Sequence, residues 1–175
     1  MKRTAFYLIL LLSLSCVTSC MQPVQHDDQF YNVNDEFSVV RIPLVNPIEV
    51  NRLNSSSPWD IELHPGIWVD FPESHGLYYL YGHVHEPEKL AVINGVIMAY
   101  SSYVDKEADA YIRDNFYYWF VIVPETEITK GFHTEDEFRE YIQTLDIEDP
   151  DWQTPDEAFE QFRKTGCLEW IPECK

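Results

Sequence analysis

The sequence predicts an α+β domain: a mostly antiparallel sheet of about six to eight strands, followed by two C-terminal helices packed on it. Three observations predict it. Short apolar stretches alternate with Pro, Gly and Asn turn signals between Phe37 and Val123. Asn94-Gly95 lies between two apolar runs, which is a hairpin signature. Two Thr-initiated capping boxes, each followed by an apolar face of helical period, close the chain.

Taken in order, Phe37 to Leu44 and Ile48 to Arg52 read as strands broken by prolines, and Asn54 to Pro58 as a loop. Trp59 to Leu63 alternates apolar and acidic residues, as a half-exposed strand does. His64-Pro65-Gly66 reads as a turn, Ile67 to Phe71 as the next strand, Pro72 to Gly76 as a second turn, and Leu77 to His85 as a longer strand. Leu90 to Ile93 and Val96 to Tyr100 form the hairpin, because a type I′ turn needs positive φ at both central positions. Tyr103 to Asn115 is charged and polar and fits a loop or a single helical turn. Phe116 to Val123 is apolar in both alternating sets, as a strand covered on both faces must be. Thr134-Glu135-Asp136-Glu137 opens the first helix, and Phe138, Tyr141, Ile142 and Leu145 form its apolar face. Thr154-Pro155-Asp156-Glu157 opens the second, with Pro at the first helical position and Ala158, Phe159 and Phe162 inward. Trp152 and Trp170 flank that helix and cover the core edge.

A chain of 175 residues suits one domain. Hydrophobic residues at 45% and aromatics at 15% supply a core, which excludes a disordered acidic tail. Twelve Lys and Arg against 30 Asp and Glu give a net charge of −18, which excludes nucleic acid as a partner. Six scattered glycines leave no loop to cradle a phosphate, and no G-x-S-x-G marks a hydrolase nucleophile. No cofactor is called for.

Lys2 and Arg3 precede the apolar run Ala5 to Leu12, which is too short to span a bilayer and reads as a signal peptide. Val17-Thr18-Ser19-Cys20 follows it. This segment resembles the bacterial lipobox. The resemblance implies cleavage before Cys20, a lipid on Cys20 that anchors the chain to a membrane, and a place in the bacterial cell envelope. Met21 stands where an Asp would retain such a protein at the inner membrane, so the resemblance implies the outer membrane. The chain then divides into a leader over 1–19, a lipidated polar tether over 20–34 and a single domain over 35–175. Cys16 leaves with the leader and Cys20 is acylated, so Cys167 and Cys174 remain. An oxidising envelope favours a bridge between them over two free thiols. The stretch Leu90 to Leu145, with Gly131-Phe132-His133-Thr134 before the first helix, resembles uncharacterised short bacterial lipoproteins. That likeness implies fold and no chemistry.

His83-Val84-His85 is the metal-like feature, since positions i and i+2 of a strand share a side. Glu86, Glu88, His64 or His75 are candidates for a third ligand, and the bland alternative is the exposed end of a packed row. Asp60 with Glu62, Asp70 with Glu73, and Glu125 with Glu127 are acidic pairs of the kind glycoside hydrolysis uses, in a chain where chance alone produces many. Trp59, Trp68, Tyr78 and Tyr81 are candidates for stacking on a sugar, against core filling as the alternative. Without Lys2 and Arg3 the mature charge is 10 − 30 = −20, a field that steers a cationic partner. These features favour an anchored, non-enzymatic module that binds a basic protein or a glycan, in its sharpest form an inhibitor or immunity protein against a basic toxin or lysozyme. The alternative is a metal binder or metal-assisted hydrolase using His83 and His85.

Overall fold

A computed structural model describes residues 23–33, 40–71, 76–106 and 116–174, and the side chains of 68–81 lie outside that description. The leader, Cys20, His75 and most of the Tyr103 to Asn115 stretch also lie outside the described residues.

Among the described residues, eight antiparallel strands form two four-stranded sheets, and two helices follow, so the fold is α+β. The first sheet runs β1 (Val40–Val45), β2 (Ile48–Arg52), β3 (Asp60–Phe71) and β4 (Gly76–His85) in sequential order. The second runs β5 (Lys89–Ile93), β6 (Val96–Tyr100), β7 (Trp119–Val123) and β8 (Ile128–Phe132), also in order. Helix α1 spans Glu135–Gln143 and α2 spans Pro155–Thr165.

Strand alternation assigns each residue a face. In the first sheet Ile42, Leu44, Val50, Ile61, Leu63 and Val84 are buried against the second sheet, where Leu90, Ile97, Ala99, Phe120 and Ile122 meet them. The second sheet's other face carries Ala91, Val96, Met98 and Val121, covered by Phe138 and Ile142 of α1. β7 is therefore an inner strand covered on both sides, as its doubly apolar pattern requires. Across the outer face of the first sheet, register aligns Arg41 with Asn51, Asn51 with Asp60, and Asp60 with His85.

One expected turn is a correction. His64-Pro65-Gly66 does not separate two strands but lies within β3, which stays paired to β4 on either side of it. Glu62 pairs with His83 and Ile67 with Tyr81, so Leu63 to Gly66 stand opposite Gly82 alone, and the surplus bulges out.

Both helices start as their capping boxes require. Thr134 and Thr154 accept the amides of Glu137 and Glu157, whose carboxylates accept the Thr amides in return. Gly166 ends α2 at φ 73°, a left-handed position that glycine takes without strain. Ala158 and Phe162 seat α2 on the core between the sheets, and Trp170 Nε1 donates to the Pro43 carbonyl at 2.9 Å.

Residues 23–33, within the stretch read as a tether, fold onto the domain. The Val24 amide donates to the Thr165 carbonyl at 2.9 Å, Arg41 donates to the carbonyls of Phe30 and Asn32, and Tyr31 is buried in the core. Its polar composition hides two aromatics and a buried histidine, His26, that supply the packing.

Candidate functional site

The outer face of the first sheet is where polar chemistry gathers. Asp60 begins β3 directly opposite His85, the last residue of β4. His83 Nδ1 lies 2.5 Å from Asp60 Oδ2, and His85 Nδ1 lies 2.7 Å from Asp60 Oδ1. A carboxylate only accepts, so the hydrogen of this contact sits on His83 Nδ1. The His85 contact is close but misaligned for a hydrogen bond, which leaves Asp60 Oδ1 buried without a donor. The two imidazoles stack with centroids 5.5 Å apart and planes 15° apart.

The expected metal pair is thus brought together, but around a carboxylate. Among the described residues, His83 and His85 belong to no group of three whose ligand atoms all lie within 4.8 Å of one another, whereas His26, Cys167 and Cys174 form one. Those two cysteines are joined as a disulfide with Cα atoms 5.5 Å apart, so their sulfurs are not free ligands. His64 pairs with Glu62 at 3.0 Å on the exposed surface instead of joining the other histidines.

Beyond His85 the chain passes from the first sheet to the second, and the crossing forms an open cleft of about 720 Å³. Glu86, Glu88, Ser102, Tyr103, Asp105 and Lys106 line it. Backbone bonds fix its rim: Glu86 N donates to Trp59 O at 2.9 Å, and Glu88 N to Tyr100 O at 2.8 Å. Ser101 Oγ donates to the His85 carbonyl, and Tyr103 packs on the His85 ring at 5.4 Å, so the cleft and the Asp60 cluster are continuous. The Ser102 hydroxyl donates to Glu88. Burial first, and then the negative field of Glu88, Tyr118 and Glu135, raises the Tyr100 phenol above its ordinary pKa.

No family model, no curated protein and no solved structure matches this chain.

Trp59 lies in the core, as the core-filling alternative expects. It is buried, its Nε1 donates to Asp156 Oδ1 at 3.0 Å, and the Arg52 guanidinium covers its ring at 4.0 Å. The amphipathic ring is used up by α2, whose Phe159 also packs on it at 5.7 Å. Trp68, Tyr78 and Tyr81 lie on β3 and β4, with Trp68 opposite Tyr79, Tyr78 opposite Val69, and Tyr81 opposite Ile67. Their side chains lie outside the described residues, as do those of Asp70 and Glu73. Glu125 and Glu127 sit on the exposed turn between β7 and β8. Cys20 lies outside the described residues.

Sequence reasoning named Glu86 and Glu88 only as spare metal ligands and did not find Ser102, Tyr103 or Asp105. The local signal was the Ser101-Ser102-Tyr103 run directly after a strand, where polar residues mark a loop.

Proposed function

We propose that this chain is a lipid-anchored protein of the bacterial cell envelope whose acidic domain is a non-enzymatic binding module for a basic protein. The lipobox-like Val17-Thr18-Ser19-Cys20 supports the anchor and an outer-membrane destination. The Cys167–Cys174 disulfide agrees with an oxidising compartment. The single observation that carries the binding role is the cleft beside Asp60. Glu86, Glu88 and Asp105 line it beside the exposed Tyr103, three acids against the single cation Lys106, an arrangement that takes a lysine or arginine side chain by charge and ring face. An inhibitor- or immunity-like action is the finer form of this reading: a basic partner held at the cleft is blocked by occupancy, without chemistry.

The test uses the chain from residue 21 onward and an oligolysine peptide as probe. Binding falls steeply as salt rises. E86Q/E88Q weakens it at least tenfold, whereas E125Q/E127Q, with the same change in net charge, leaves it within twofold. Equal loss in the two variants would show a diffuse charge effect and sink the cleft.

One observation favours a second reading, a metal binder at His83 and His85. Asp60 holds the His83 Nδ1–H, the outer-sphere contact that metal-bound imidazoles ordinarily make. Stoichiometric zinc on the purified chain, lost in His85→Ala, would support it. Zinc retained at the same level in that variant would rule it out.

A further inference from the structure

We propose that the domain sits directly on the lipid surface, its face around Val24 and Lys164 against the headgroups, and does not ride on a flexible stalk. This rests on the anchored reading above and adds an orientation to it.

The length of the connection carries the inference. Only Met21 and Gln22 separate Cys20 from Pro23, the first described residue. Three Cα steps of at most about 3.6 Å put Pro23 within about 11 Å of Cys20. The headgroup layer of one leaflet is itself about 5–8 Å deep. A lipid on Cys20 therefore leaves Val24 nowhere to go but the bilayer surface.

Val24 is not at the end of a mobile arm. Its amide is bonded to Thr165 O, and Gly166 packs so closely that a Cβ there would come within 2.6 Å of Val24 O. His26 Nε2 continues the attachment to Gly166 O at 2.7 Å. The C-terminal end of α2 is thus fixed to the anchor. Its chemistry suits headgroups: Val24 is a large apolar side chain left 44% exposed, and Lys164 is exposed in the last turn of α2. The exposed Glu173, 3.7 Å from His26, shares this end with Lys164, so the length of the connection and not charge sets the orientation.

The opposite end of α2 carries Asp156, bonded to Trp59, the neighbour of Asp60. Eleven helical residues span about 16 Å. α2 therefore holds Asp156 and its bond to Trp59 at the helix end away from Val24.

The test is lysine footprinting of the acylated full chain on phosphatidylcholine–phosphatidylglycerol vesicles, using a water-soluble acylating reagent read by mass spectrometry. The comparison is a variant with a twenty-residue Gly/Ser insertion between Gln22 and Pro23. Lys164 is expected to label severalfold more slowly in the native chain than in the insertion variant, with Lys89 and Lys106 unchanged between the two. Equal labelling of Lys164 in both acylated proteins overturns the orientation and spares the anchor. Absence of the acyl mass on Cys20 overturns both.

Discussion

His26 and Gly166 join the two ends of the domain: the imidazole Nε2 donates to the Gly166 carbonyl at 2.7 Å across 140 residues of sequence. The bond makes the N-terminal segment part of the fold, and it does so at the residue that ends α2. Replacing His26 with Ala removes a buried donor and opens a cavity beside Tyr31, at a cost of about 2–4 kcal/mol. Gly166→Ala adds backbone strain at φ 73° and a clash with Val24. Urea unfolding measures both. A His26→Ala loss below about 0.5 kcal/mol, the range of an ordinary surface change, would show that the segment is not part of the cooperative unit.

The Trp59–Asp156 bond should report on stability and not on sugar recognition. Asp156 accepts from Trp59 Nε1 at 3.0 Å and from Arg52 at 3.1 Å. Asp156→Ala leaves the buried indole N–H without its partner and is expected to cost about 1–3 kcal/mol. Thermal melting of the variant against wild type measures it, and an unchanged melting temperature would contradict the role given to this contact.

Acid should loosen both helix starts. The carboxyls of Glu137 and Glu157 are held below their usual range, first by the amides of Thr134 and Thr154 that they accept. Their stabilisation is therefore complete above the ordinary glutamate range and is lost as pH falls through the lowered native values. Melting temperature followed from neutral pH downward should drop in that window, and the drop should be shallower in E137Q/E157Q. Parallel profiles for the two proteins would contradict the assignment. Thr134→Ala or Thr154→Ala removes the hydroxyl half of the box at any pH, for about 1 kcal/mol each.

Reduction of the disulfide should destabilise the C-terminal lobe. Cys167 and Cys174 close a short loop around Leu168 and Ile171, both buried in the core between the sheets. Chain entropy gives such a loop about 2.5 kcal/mol. Unfolding of C167S/C174S in urea measures it, and wild-type stability would contradict a structural bridge.

Legibility from sequence follows the range of the interactions. Thr134, Thr154 and the Asn94-Gly95 turn act over three or four residues, and the structure places the helices and the hairpin where those signals put them. The doubly apolar β7 was readable for the same reason, since alternation is local. β3 was not, because its continuity past Pro65 depends on pairing with β4. Trp59 resembles an exposed aromatic until Asp156, 97 residues later, takes its N–H. The candidate site divides in the same way. His83 and His85 stood out by spacing, but their shared carboxylate is set by cross-strand register, and Tyr103 reaches His85 only through the crossing between the sheets.

The anchor is the claim on which location and orientation both depend, and radiolabelled fatty acid incorporation into the full chain and into Cys20→Ala tests it most directly. Label is predicted on the wild-type protein, which migrates without residues 1–19, and none on the variant. Equal labelling of the two, or an unlabelled wild-type chain with its leader still attached, would contradict it.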